Sequence, residues 1–233
     1  MLSTEVKVSI YGTLSDKGLY SGYVSGENIP SQNALIISRK SVYDNFTGIV
    51  TAIAHLEDGT DKLVVSPRNE IMYEPEIRNL LENMKQLKIQ KLSCLYEKSC
   101  GAVILHWDNK AQDYMILLVK NHNGRFYSFP KGHVELWENE KETAVREIKE
   151  ETNLDVKILD GFREISDYCP YGKIRKRVVF FLAVAKSNNI RIQESEIDSY
   201  TWVPLGGAGG VTYDNDRRVI EKVRRYIAEH GRI

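Results

Sequence analysis

Residues 132–154 read Gly-His-Val-Glu-Leu-Trp-Glu-Asn-Glu-Lys-Glu-Thr-Ala-Val-Arg-Glu-Ile-Lys-Glu-Glu-Thr-Asn-Leu, and no other segment constrains the chain as much. Glu147, Glu150 and Glu151 stand at i, i+3 and i+4, so a helix places all three on one face. Like charges at that spacing repel, and a stable helix avoids them unless a cation fills the gap. A hard divalent ion such as Mg²⁺ or Mn²⁺, which takes oxygen ligands, suits such a face. A blander account pairs these acids with Lys141 and Lys149 on a solvated helix. That account leaves Gly132 and the single acidic stripe unexplained.

Written as Gly-x5-Glu-x7-Arg-Glu-U-x-Glu-Glu-x-Gly-U, with U a bulky aliphatic residue, the segment resembles the Nudix box. Gly132, Glu138, Arg146, Glu147, Ile148, Glu150, Glu151 and Leu154 match, and Asn153 stands where the family has glycine. Asparagine is the next-best residue for the left-handed helix cap, so the departure should cost little and spare the acids. Glu147 and Glu151, one turn apart, are the expected principal metal ligands. Glu150 would ligate further ions or position water, and Glu138 can reach the cluster across the preceding loop. A backbone carbonyl near Lys131 or Gly132 is a further candidate oxygen, because glycine lets the loop fold back. The resemblance implies that Arg146 orients a box carboxylate through a charge-assisted pair. It also implies metals that neutralise phosphate charge, polarise phosphorus and activate water for in-line attack.

Just before the box, Phe129-Pro130-Lys131-Gly132-His133 resembles the dinucleoside polyphosphate hydrolase branch, of the asymmetric diadenosine tetraphosphatase type. Lys131 would supply a point charge and His133 a donor to a long polyphosphate. Glu196, six residues ahead of Trp202, resembles an acid of the family and is a candidate general base or extra ligand, with Glu194 left open. Val211-Thr212-Tyr213-Asp214 resembles the stretch where this branch places an aromatic near the nucleobase, so Tyr213 would either stack on a base or pack a helix start. Tyr168 and Tyr171 are equally open. The basic run Lys173, Arg175, Lys176 and Arg177 would either receive distal phosphates or solubilise an exposed strand. The implied reaction splits a dinucleoside tetraphosphate into a nucleoside triphosphate and a monophosphate. RNA 5′-end pyrophosphohydrolase or decapping activity and nucleoside triphosphate pyrophosphatase activity are alternatives within the class. A nucleotide-binding sensor or scaffold is the alternative outside it.

The 32 basic and 32 acidic residues leave no global field for nucleic acid or anionic membranes. Cys94, Cys100 and Cys169 lack metal-ligand spacing and read as free thiols in a reducing cytoplasm. No signal pattern opens the chain, and its apolar runs are too short to cross a bilayer, so a cytoplasmic protein is expected.

At 233 residues the chain is expected to hold two domains of α+β class. Short β-like runs at 5–11, 19–25, 34–38, 48–55 and 62–66 predict a small barrel. A helix over 74–91 would close it, opened by Glu74-Pro75 and striped by Ile77, Leu80, Leu81, Met84 and Leu87. Residues 1–92 resemble an inorganic pyrophosphatase fold through Gly22-Tyr23-Val24, Gln32–Ile37, Phe46–Ile53 and Asp58–Val65. The segment matching its acidic signature, Asn28–Asn33, carries no carboxylate, and Asp58 and Asp61 read as turn residues. A non-catalytic domain is therefore expected, one that docks, forms a homodimer or helps cover the nucleotide. For residues 96–233 the resemblance implies a Nudix α/β/α sandwich around a mixed sheet, ending in a helix near 214–229 that buries Val219, Ile220, Val223 and Ile227.

Overall fold

A computed structural model describes every residue except Tyr43, Asn83, Lys85, Gln86, Asn123, Tyr171, Val211 and Tyr213. The expectations for Tyr171 and Tyr213 lie outside the described residues. The chain forms two compact units: Met1–Glu97 with Tyr168–Lys176, and Lys98–Asp167 with Arg177–Ile233.

The first unit contains strands β1 (Glu5–Ser15), β2 (Leu19–Gly26), β3 (Ile29–Ile37), β4 (Asn45–Leu56) and β5 (Asp61–Pro67). Their order β1-β2-β3-β5-β4 closes on itself because β1 also pairs with β4. Closure removes the unpaired edges that an open sheet exposes. The β3–β5 pairing is parallel, while β1–β2, β2–β3, β4–β5 and β1–β4 are antiparallel. Successive residues of a strand face opposite ways, and β3 uses both faces. Ala34 and Ile36 join Val6, Val8, Val24 and Val65 inside the ring. Leu35 and Ile37 join Leu19, Val64 and the helix residues Ile77 and Leu81 outside it.

That helix, α1, spans Glu74–Glu82 and is shorter than the predicted 74–91. Leu80, Met84 and Leu87 still pack against the outer cluster, but Ile89–Cys94 leaves the helix to form strand β6 on the flank of β4. Periodicity alone did not separate these states, because an apolar residue every few positions serves a helix and the strand that follows it. Strand β3 likewise begins earlier than the predicted 34–38, at Ile29.

The second unit is built on β7 (Tyr96–Asp108), β8 (Asp113–Asn121), β9 (Lys131–His133), β10 (Val156–Tyr168), β11 (Arg175–Ala185) and β12 (Ile197–Pro204). The order is β10-β11-β7-β8-β12, with β9 pairing β7. Helix α2 (Glu140–Thr152) lays Ala144 and Ile148 on Cys100, Ala102, Ile104, Val179, Phe181 and Ala183, alternate residues of two adjacent strands. Unbroken burial from Val178 to Ala183 shows that both faces of β11 are covered. Helix α3 (Asp214–His230) buries Val219, Ile220 and Val223, with Ile227 half-buried. Cys94 and Cys100 are buried, which pushes each thiol up to about 12.

Candidate active site

Two devices fix the ends of α2. Asn139 caps its N-terminus, accepting from the Lys141 and Glu142 amides at 3.0 Å, while Glu142 accepts back from the Asn139 amide at 2.9 Å. This reciprocal box satisfies donors that a helix start leaves open. At the other end Asn153 adopts φ 57° and returns its N–H to the Lys149 carbonyl, the left-handed cap expected of it.

Gly132 is not in a turn, as its sequence setting had suggested. It lies in β9, paired with Cys100 of β7, and its backbone φ is not positive. A Cβ there would overlap the Glu147 carboxyl group where Arg146 holds it, so the two compete for the same space. Phe129, fully buried, meets the Phe180 ring edge-on at 5.2 Å and anchors the approach to Lys131.

Arg146 gathers the acids. Its Nε and Nη2 donate to Glu138 at 2.6 and 2.9 Å, and its Nη1 donates to Glu147 at 2.8 Å and Glu150 at 3.0 Å. Nη2 also donates to the His133 carbonyl at 2.9 Å, tying α2 to β9. Thr143 Oγ1 and the Glu135 amide donate to the same Glu138 carboxylate. The Arg146 guanidinium, opposed by partial burial, holds Glu138 down at about 2. Glu151 lies elsewhere: only 1 % exposed, it accepts from the Lys131 amide at 3.1 Å. Burial pushes it up to about 8, against the pull of Lys131. Burial also raises Glu147, against Arg146.

Exposed Glu196 starts the path into β12. The amides of Arg191 and Gln193 donate to Thr152 and Glu151 carbonyls, which carries the segment along the end of α2. Glu196 is near enough to raise both Glu147 and Glu151. Lys131 is half-buried and His133 exposed on β9. Lys173 and Arg175, both exposed, fall in the first compact unit.

Two acids escaped the sequence reading. Glu140 is clasped by Lys98 at 2.8 Å and doubly by Arg163, which holds it down at about 2. Asp216, in the first turn of α3, is 5 % exposed, and burial pushes it up to about 6 against Ser128 and Lys131. Neither carries a spacing signal, since their partners come from distant strands.

The donor set suits a hard divalent ion. It consists of carboxylate oxygens, and two of the acids, Glu147 and Glu151, are buried at a cost that a cation would offset. Among the described residues no three acidic, histidine or cysteine side chains form a ready-made cage. Glu147 and Glu150 are turned to Arg146 instead, so loading would require them to swing toward the ion.

A model of the NUDIX domain matches residues 98–223. The asymmetrical bis(5′-nucleosyl)-tetraphosphatase of Sus scrofa is 30% identical over 133 residues, 53% of this chain and 89% of that protein. A crystal structure of a C. elegans Ap4A hydrolase binary complex superposes with a TM-score of 0.53 at 25% identity, covering 57% of this chain and 98% of that one. The RNA pyrophosphohydrolase of Campylobacter jejuni subsp. doylei is 25% identical over 150 residues, 59% of this chain and 96% of that protein.

Proposed function

This chain belongs to the Nudix family, and on that premise we propose that it is a divalent-metal-dependent hydrolase of nucleoside polyphosphates that splits dinucleoside tetraphosphate into a nucleoside triphosphate and a monophosphate. The observation that carries this reading is the gathering of Glu138, Glu147 and Glu150 on Arg146, with Glu151 one turn along the same helix accepting from the Lys131 amide. The pig and worm relatives, both tetraphosphate hydrolases by name, support the choice of substrate.

In this reading Glu147, Glu150, Glu151 and Glu138 hold Mg²⁺ or Mn²⁺. Such an ion, when bound, neutralises phosphate charge and polarises the attacked phosphorus. The chain's own groups do the rest. Arg146 keeps Glu138 ionised and fixes α2 against the His133 carbonyl. Lys131 and His133, side by side on β9, contact the phosphate chain. Glu196, exposed beside the buried acids, takes the proton of the attacking water. The aromatic Tyr213 is assigned to the nucleobase end of the substrate.

A nucleotide panel with Mg²⁺, read by product analysis in ¹⁸O-labelled water, tests the assignment. Diadenosine tetraphosphate should be the preferred substrate, giving ATP and AMP. Faster turnover of an ordinary nucleoside triphosphate or a nucleotide sugar would defeat the choice. The E150Q/E151Q double variant should fold and lose activity, as an amide is a poor replacement for a charged ligand. Because of the Campylobacter relative, 5′-triphosphorylated RNA belongs in the panel, and steep salt dependence of its binding would favour that second reading.

We also infer that the first unit is a pyrophosphatase-like barrel that does not catalyse. Its candidate acids are engaged locally: Asp58 accepts from Thr60 N and Oγ1 across a turn, and Asp61 pairs with His55 at 2.7 Å. Asn33 accepts from the Tyr11 hydroxyl. Release of phosphate from pyrophosphate by the full-length E150Q/E151Q protein would overturn this.

A further inference from the structure

Trp137 combines two features that disfavour it. Its side chain is 86 % exposed, and its backbone sits at φ 74°, the left-handed region that bulky residues avoid. An exposed apolar residue is by itself ordinary. A large aromatic held simultaneously in water and in a disfavoured backbone is not, and such strain persists where the surroundings over-determine it. Here they do. On one side β9 is paired to β7, and on the other Glu138 is clamped by Arg146 and Asn139 by its capping box. The other tryptophans behave differently: Trp107 and Trp202 hide their indole nitrogens from solvent.

Beside this loop is a cavity of about 440 Å³ bounded by Val134, Glu138, Asn139 and Phe181, whose cations are paired, Lys98 and Arg163 with Glu140 and Lys141 with Asp160. Glu135 and Glu138 flank Trp137 in sequence. An indole this exposed offers an uncharged planar ring a free face to stack on. Base-on-aromatic stacking needs no sequence of hydrogen bonds, because every nucleobase has a π-face.

We propose that Trp137 is a base-stacking subsite, which receives the nucleobase at the end of the substrate remote from the attacked phosphorus. This rests on the polyphosphate-hydrolase reading and deepens it. The subsite makes a dinucleotide a better substrate than a mononucleotide carrying the same phosphates.

Steady-state kinetics of the full chain with Mg²⁺ test it. W137A should raise KM for diadenosine tetraphosphate about tenfold, with kcat within about twofold, given the usual worth of one stacked base. KM for adenosine tetraphosphate should not change, and W137F should restore most of the loss. W137G should lose the same affinity yet melt roughly 2–4 °C higher, since glycine accepts the positive φ. Adenosine monophosphate should quench tryptophan emission in the wild type and not in W137F. An unchanged KM in W137A, or equal quenching in W137F, would overturn the proposal. Should the wild type hydrolyse no nucleotide polyphosphate at all, the substrate reading fails, and the quenching experiment alone then decides the stack.

Discussion

Replacing Gly132 with alanine adds one methyl group at the most crowded point of the site. That methyl would sit roughly 1 Å inside the 3.0 Å limit that real Cβ atoms keep from neighbouring atoms, against all three atoms of the Glu147 carboxyl group. Relief has two routes. Glu147 can retreat, which strains its 2.8 Å bond from Arg146 and threatens to leave a buried acid unpaired. Alternatively β9 can retreat, which breaks the Cys100–Gly132 pairing and carries Lys131 and His133 with it. Overpacking of this kind costs about 1–3 kcal/mol of stability. A 1 Å misplacement of catalytic groups lowers rates by about 100-fold. Gly132→Ala should therefore melt several degrees lower and lose about two orders of magnitude in kcat/KM for diadenosine tetraphosphate, measured by product chromatography with Mg²⁺. A folded variant working within about threefold of the wild type would refute the claim that Glu147 must rest against Gly132.

Other outcomes follow from the same geometry. In chelator, Glu151, ordinarily at 4.5, is pushed up to about 8, so the native state binds more protons than the unfolded chain between those values. Stability of the metal-free protein should then fall as pH rises through that window, and Glu151→Gln should flatten the slope in thermal melts. Glu138 shifts the other way, held at about 2. Its contribution is present above its ordinary value and lost as pH falls toward 2, and Arg146→Ala should erase it while lowering kcat by about 10–100-fold. Arg146→Lys should rescue little, because an ammonium cannot reproduce a fork that spans three carboxylates. Asn153→Gly should raise the melting temperature slightly and leave kcat unchanged, since φ 57° suits glycine better than asparagine.

Much of the second unit was legible because its signals are local. The acidic stripe and the cap at Asn153 are set by residues within a turn or two of each other. Strand β10 was not, because its inward positions include Glu164 and Ser166 while Ile165 faces outward, so its residue types do not alternate as its burial does. Nor was the reach of Arg146. Spacing places it beside Glu147, yet its bonds to Glu138 and the His133 carbonyl span a loop whose path depends on β9 joining the sheet. The need for glycine at 132 was visible, but its cause, a carboxylate from the facing helix, exists only after α2 packs. In the first unit the strands were legible one by one, while closure of the ring depends on β1 pairing at both its edges.

Residues 134–137 bridge two anchored points, the last residue of β9 and the clamped Glu138. A bridge pinned at both ends can be rewritten without disturbing the register of what it joins. Changes of residue type at Glu135, Leu136 and Trp137 leave the acids of α2 facing the same way, whereas Val134 is held by the core it packs against. Evolution could therefore retune selectivity in this lineage through a short interchangeable stretch, with the hydrolytic centre inherited unaltered.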